Sequence, residues 1–220
     1  MIKKHKDIIL LLVCLIAIFQ LYLYTTFPAF KNDDSPETIT SAYTLGISHP
    51  PGYPLFTIMG KVFSVLPVGS PAFRINLFAI FLGLMVLLLF YFIIKQNIYL
   101  IFKDNSKIIN YFGIFVLAFT FLFWNQTIEA KGGIYILNLL FLSALTYLSL
   151  NLFYKFNTGR FYLLIYIFGL SLTNHWPSML VFFPALGYIF YKYREKSSRI
   201  LNAIIIGIKR IRFFAFKNTK

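Results

Sequence analysis

The feature that most restricts this chain is the run Ile8–Phe27, twenty residues without a single charge. As a helix it is about 30 Å long, enough to cross the hydrocarbon core of a bilayer. Similar runs follow at Ile75–Ile94, Ile108–Trp124 and Ile134–Phe153, and two shorter ones, Phe161–Thr173 and Ser178–Tyr191, flank the polar "NHWP". With 59% hydrophobic and only 13% charged residues, the chain has too little polar surface to coat a water-soluble globule. The sequence therefore predicts an all-α, polytopic transmembrane bundle of six spans, with Pro184 kinking the sixth. The basic tail "ILNAIIIGIKRIRFFAFKNTK" reads as an interfacial helix or as a seventh span.

"MIKKHK" ahead of the first run resembles a signal-peptide n-region. The apolar run exceeds the 7–15 residues of a cleaved signal, and "TTFPAF" is a poor cleavage site, so the run reads as an uncleaved span. The lone cysteine, Cys14, lies inside it and excludes an intrachain disulfide. A net charge of +14 would point to nucleic acid in a soluble protein; here the basic residues flank apolar runs and report topology instead. Alternating the spans places 17 of the 21 Lys and Arg residues on the side of the N-terminus, the 95–107 and 154–160 loops and everything after Tyr191. That side is predicted to be cytoplasmic. Lys31, Lys61, Arg74 and Lys131 fall on the other side, with Asp33, Asp34, Glu37 and Glu129. The 28–74 loop then faces a periplasm or lumen, a bacterial inner membrane being the preferred setting.

Within this loop Ser35–Pro36–Glu37 is a helix start, with Ser as N-cap, Pro at the first position and an acid in the first turn. The helix should run to about Leu45 and end at Gly46. "HPPGYP" is too rich in proline for a helix and predicts a stiff extended segment with a turn at Gly52. A second helix, Leu55–Leu66, should present Leu55, Met59, Val62, Phe63 and Leu66 on one face. The plain reading of Asp33, Asp34 and Glu37 is helix capping, that of His49 a bond to a carbonyl, and that of Arg74 an interfacial anchor. Against it stands the combination: carboxylates, a rigidly held His49 and Arg74 gather at one end of an apolar bundle, where Glu129 and His175 also arrive.

The stretch "DDSPETITSAYTLGISHPPGYPLFTIMGKVFSVLPVGSPAFRINLFA" resembles the N-terminal signature of a family of polytopic glycosyltransferases. That family contains the transmembrane protein O-mannosyltransferases, and its bacterial members were long described as a domain of unknown function. Its pattern is D-S-G-E, "LGxxHPPGYPL", "LP.G" and "R.N", matched at Asp34–Glu37, Leu45–Leu55, Leu66–Gly69 and Arg74–Asn76. "FWNQTIEAKGGIYILN" is similar to its "FW.Q...AE.Y.LN", and "GLSLTNHW" to its "GL..TNH". The resemblance covers roughly residues 5–190 of one transmembrane domain, 1–220, whose 28–74 outer loop carries the motifs. Pro36 and Asp33 stand where the family has Gly, and a Gly-Gly excursion interrupts the segment after Glu129. Family members usually carry further spans and often a soluble C-terminal domain.

The resemblance implies a GT-C type enzyme that moves a sugar, mannose first among candidates, from a polyprenyl-phosphate donor to a Ser or Thr hydroxyl of an exported protein. It implies Asp34 as base with Glu37 beside it, and like-charge repulsion among the acids should raise the pKa of Asp34. Asp33, His49, Tyr53, Arg74, Glu129, Asn174 and His175 are the expected substrate-binding residues, Arg74 pairing with the donor phosphate. Membrane lipid and the exported acceptor are the other partners; nucleic acid is not. No cofactor is required, although Asp33, Asp34 and Glu37 are of the type that holds a divalent cation. Two other classes share these features: a transporter or flippase, and a non-catalytic membrane fragment that assists a longer partner. No internal repeat of the kind transporters carry is visible.

Overall fold

The computed structural model describes residues 2–31, 34–103 and 107–196. Asp33 and the basic tail lie outside the described residues. Ten α-helices and no strand are found among those described: α1 Ile2–Thr25, α2 Ser35–Thr44, α3 Pro54–Ser64, α4 Pro71–Phe102, α5 Lys107–Phe119, α6 Phe121–Thr127, α7 Ala130–Tyr154, α8 Thr158–Ser171, α9 Trp176–Met179 and α10 Phe183–Lys192. The core is built on α4 and α7, whose buried faces carry Ile75, Phe78, Leu82 and Val86 on one and Ile134, Leu137, Phe141 and Leu145 on the other. Both faces recur at helical spacing. The outer helices show the reverse: Ile8, Ile9, Leu12 and Ile16 of α1 and Ile108, Phe112 and Phe115 of α5 are exposed. A contiguous apolar surface of this kind is stable against hydrocarbon, not water.

Three helices are long and apolar enough to cross a membrane, within Asp7–Thr25, Pro71–Leu100 and Ala130–Tyr154. They coincide with the first, second and fourth expected spans, and they mark a membrane protein. The third expected span is a bent pair: α5 and α6 meet at 66° at Thr120. The fifth and sixth are shorter than a bilayer core, with 14 residues in α8 and 10 in α10. Between them the chain takes a 3₁₀ turn, Leu180–Phe182, just before Pro184 in the first turn of α10. The expected kink is thus a change of helix type: Pro184 cannot donate an N–H, and it crowds the preceding turn.

This last pair is fastened to both ends of α7. At one end Asn174 Nδ2 donates to the Ile134 carbonyl (2.9 Å) and to Asn138 Oδ1 (2.7 Å). At the other, Tyr193 Oη donates to the Leu152 carbonyl and Lys192 Nζ to that of Phe153 (2.6 Å).

The 28–74 loop folds into α2 and α3, which pack on each other and on α4 and α7. The R.N pair holds its two ends. Asn76 Nδ2 donates to the carbonyls of Phe27 (2.8 Å) and Ala29 (3.0 Å). Arg74 donates to the carbonyls of Val68 (2.7 Å), Ser64 (2.7 Å) and Gly69 (3.0 Å).

Two expectations are corrected here. α2 ends with Leu45, not Gly46, in the left-handed conformation (φ 58°), and the Gly46 N–H closes the turn on the Ser41 carbonyl at 2.9 Å. That 6→1 bond makes Leu45 the residue that must turn left-handed, and glycine merely follows it. α3 buries Phe56, Thr57, Gly60 and Ser64, while Val62 is exposed. Small residues let α3 approach its neighbours: a Cβ on Gly60 would sit 3.0 Å from that of Ala42. Close approach through small residues decides helix contacts in a membrane protein, where an apolar stripe is equally stable facing lipid.

Candidate functional site

Asp34 occupies the N-cap position of α2, yet its side chain makes no capping bond. Its backbone carbonyl accepts from Thr38, and its carboxylate faces Lys131 in the first turn of α7, Oδ2 to Nζ 2.9 Å. Capping therefore does not account for this carboxylate. Glu37, one turn on, reaches across to the proline-rich turn. Its Oε1 accepts the backbone N–H of His49 (2.6 Å), and its Oε2 lies 2.7 Å from His49 Nδ1. The expected turn closes at Gly52, whose N–H donates to the His49 carbonyl (2.9 Å) and whose φ is +75°.

Tyr53 is the hub. It is buried at 4% exposure, its ring meets the edge of His49, and its hydroxyl lies 3.4 Å from His49 Nε2. The Lys131 ammonium stands 5.2 Å over the Tyr53 ring, and the His175 ring stacks 5.9 Å from it at 15°. Tyr135 meets His175 edge-on at 5.6 Å. The α8–α9 turn delivers His175 because Asn138 of α7 binds it: Nδ2 donates to the His175 carbonyl (2.9 Å) while Oδ1 accepts from Asn174. His175 Nδ1 pairs with Ser178 Oγ at 2.6 Å. Residues distant in sequence thus form one row, Asp34–Lys131–Tyr53–His175, joined at Tyr53 by Glu37–His49.

The electrostatics follow from these contacts. Lys131 holds the Asp34 carboxyl below the usual carboxylate range, first through its hydrogen bond and then through its charge. The expected rise from neighbouring acids is overturned because an ammonium at 2.9 Å outweighs them. Glu37 is likewise lowered by the side-chain and backbone bonds from His49, against a smaller opposing push from the Asp34 charge. Burial, with the Lys131 charge, pulls His175 down, so it is a neutral imidazole at pH 7. One ligand atom each from Asp34, Glu37 and His49 lie within 4.8 Å of one another, close enough to share a cation. As they stand, these atoms are satisfied by Lys131 and by each other.

Of the expected site residues, Asp34, Glu37, His49, Tyr53, Asn174 and His175 come together. Arg74 is bound to the 64–69 turn as described. Glu129 precedes α7, is 7% exposed and pairs with Lys31 at 3.5 Å.

The chain matches the family "Protein O-mannosyl-transferase TMEM260 N-terminal domain" over residues 34–199. It belongs to that family. The match begins at Asp34 and takes in all of the row described above. Among its relatives, Protein O-mannosyl-transferase TMEM260 of Mus musculus is 35% identical over 137 residues, 61% of this chain and 18% of the relative. Protein O-mannosyl-transferase tmem260 of Dictyostelium discoideum is 26% identical over 199 residues, 83% of this chain and 23% of the relative. The chain spans about a fifth of the length of these curated relatives. No solved structure matches it.

The residues missed from sequence were Lys131, Tyr135, Asn138 and Ser178. A signal for the first was present. Counted from Phe123, the glutamate of the pattern "FW.Q...AE" that "FWNQTIEAKGGIYILN" resembles falls on Lys131. The structure places the Lys131 ammonium beside Asp34, Nζ to Oδ2 2.9 Å.

Proposed function

We propose that this chain is the membrane part of a GT-C type mannosyltransferase that takes mannose from a polyprenyl-phosphate donor and gives it to a Ser or Thr hydroxyl of an exported protein. The observation that carries the reading is Asp34: an ionised carboxylate, its side chain 51% exposed, at the head of α2 in a row of polar residues on an apolar bundle. The names of the relatives supply the reaction class. In the step itself the acceptor oxygen attacks the anomeric carbon. The bond from that carbon to the donor phosphate oxygen breaks with its electron pair, and the hydroxyl proton passes to Asp34. A phosphate ester leaves without prior protonation, so one placed base suffices. Neutral His175 and the Tyr53 and Tyr135 rings offer the stacking and hydrogen-bonding surface a sugar requires.

In this reading α8 and the α9–α10 segment are the fifth and sixth spans, supported by their bonds to both ends of α7. The 17-to-4 division of basic residues supports a periplasmic or lumenal site in a multi-pass protein, the bacterial inner membrane being our preferred setting. The reading is metal-free, Lys131 standing as the cation of the site.

The test is Asp34→Asn, in a transfer assay with radiolabelled lipid-linked mannose on the full gene product. Asparagine keeps the shape and removes the basicity. Transfer is expected to fall by about two to four orders of magnitude with folding and membrane insertion intact. Turnover like that of the wild type would remove Asp34 from the chemistry.

A further inference from the structure

The charge that faces Asp34 is carried on a rigid support. Lys131 lies in the first turn of α7, followed by two glycines in close contact. A Cβ on Gly133 would come within 2.8 Å of Ala79 and Phe56, and one on Gly132 within 2.5 Å of the Gln126 backbone. The Lys131 side chain is only 14% exposed, while that of Asp34 is 51% exposed. Most of its side chain is therefore buried, and its ammonium meets a carboxylate that is open to solvent. An ammonium carries three donors, and here one meets a carboxylate oxygen that a phosphate oxygen could replace with an equally strong charge-assisted bond. Arg74 is differently placed, with three of its five N–H groups on backbone carbonyls that would be stranded if it moved.

The ion pair also sets a problem for the chemistry. A carboxylate bonded to an ammonium is a weak base, and Asp34 is held below the ordinary range by that bond. A base with that partner accepts a hydroxyl proton poorly until the partner leaves.

We propose that Lys131 receives the donor phosphate and that, in turning from Asp34 to that phosphate, it frees the base. The inference rests on the glycosyltransferase reading above and extends it: donor binds first, and acceptor activation is tied to donor occupancy. Without donor, Lys131 keeps Asp34 quenched. With donor bound, the ammonium stabilises the charge that grows on the departing phosphate, and the released carboxylate regains ordinary basicity.

A binding experiment without turnover separates this from an ordinary structural ion pair. Farnesyl phosphate, which carries no sugar, is titrated by calorimetry into the purified full chain in detergent, with farnesol and inorganic phosphate as controls. Lys131→Gln is expected to weaken farnesyl phosphate by about ten- to a hundredfold, the usual worth of a charge-assisted bond, and Lys131→Arg to stay within about threefold. Asp34→Asn removes the competitor for Lys131 and is expected to tighten binding by about two- to fivefold. The double variant should bind no more tightly than Lys131→Gln, since the gain exists only while Lys131 is present. Farnesol should bind all five chains alike, and inorganic phosphate should show the same order at lower affinity.

Equal or weaker binding by Asp34→Asn, or wild-type binding by Lys131→Gln, overturns the proposal, and Lys131→Arg guards against a folding artefact. If the wild type transfers mannose but the variants give either of those results, only the role of Lys131 is lost. If the wild type does not distinguish farnesyl phosphate from farnesol, the phosphate-donor reading is lost and this inference with it.

Discussion

Glu37 is held at both carboxylate oxygens by one residue, His49, so its ionisation locks the proline-rich turn onto α2. Because its folded pKa lies below the ordinary value, the charged form contributes stability above an unfolded pKa of about 4.3. That contribution disappears as pH falls through the lower, folded value. Replacing Glu37 with Gln keeps an acceptor but removes the charge. The melting temperature of the variant should lie below that of the wild type at pH 7, and the two should converge on acidification below about pH 4. A gap that persists at acid pH would mean that shape, not charge, holds the turn. Most of the site was legible at this scale because carboxylates and histidines are scarce in an apolar chain, so Asp34, Glu37, His49 and His175 stood out as exceptions. Lys131 did not. A basic residue at the end of a span reads equally well as a topology signal, and nothing local shows that it meets Asp34.

At the scale of elements, the clearest test lies at the α6–α7 junction. Gly132 and Gly133 looked like an irregular excursion; both are helical, and α7 begins before them. A Cβ at Gly132 would fall on the Gln126 carbonyl oxygen, where backbone must move to make room. Gly132→Ala should therefore destabilise the protein by about 2 kcal/mol or more and displace the neighbouring Lys131. Gly169, inside α8, has nothing within 4 Å of its hypothetical Cβ. There alanine should stabilise by about 0.5–1 kcal/mol through helix propensity. Thermal melts in detergent that moved both variants in the same direction would contradict this packing. The N-cap of α2 is Asp34, not Ser35, which is already the first helical residue. The start of α2 was legible to within one residue because Ser–Pro–Glu is a local chemical signal. The end of α2 and the buried face of α3 were not, since tertiary bonds to Ser41 and close contact at Gly60 decide them.

At the scale of the molecule, the long apolar runs revealed α1, α4 and α7 because a bilayer demands length and hydropathy together. α8 and α10, with 14 and 10 residues, are each too short alone, and their place depends on hydrogen bonds that no window of sequence contains. If α8 climbs α7 and the α9–α10 segment descends it, Thr173 must share a side with the α2–α3 loop, and Lys155 must lie opposite. Single cysteines at Thr44, Ser70, Thr173 and Lys155, all exposed, test this in a chain with Cys14 replaced by alanine. In intact cells an impermeant thiol reagent should label the first three, and Lys155→Cys only after the membrane is permeabilised. A bundle of four spans with α8–α10 lying along the cytoplasmic face would protect Thr173→Cys along with Lys155→Cys. The reverse orientation would protect Thr44, Ser70 and Thr173 together and expose Lys155. Thr173 is thus the deciding position: it adjoins Asn174 and His175, and its carbonyl accepts the Leu55 N–H at the head of α3 (3.3 Å). Labelling there from outside would carry the whole row from Asp34 to His175 to the outer face, where an exported acceptor would meet it.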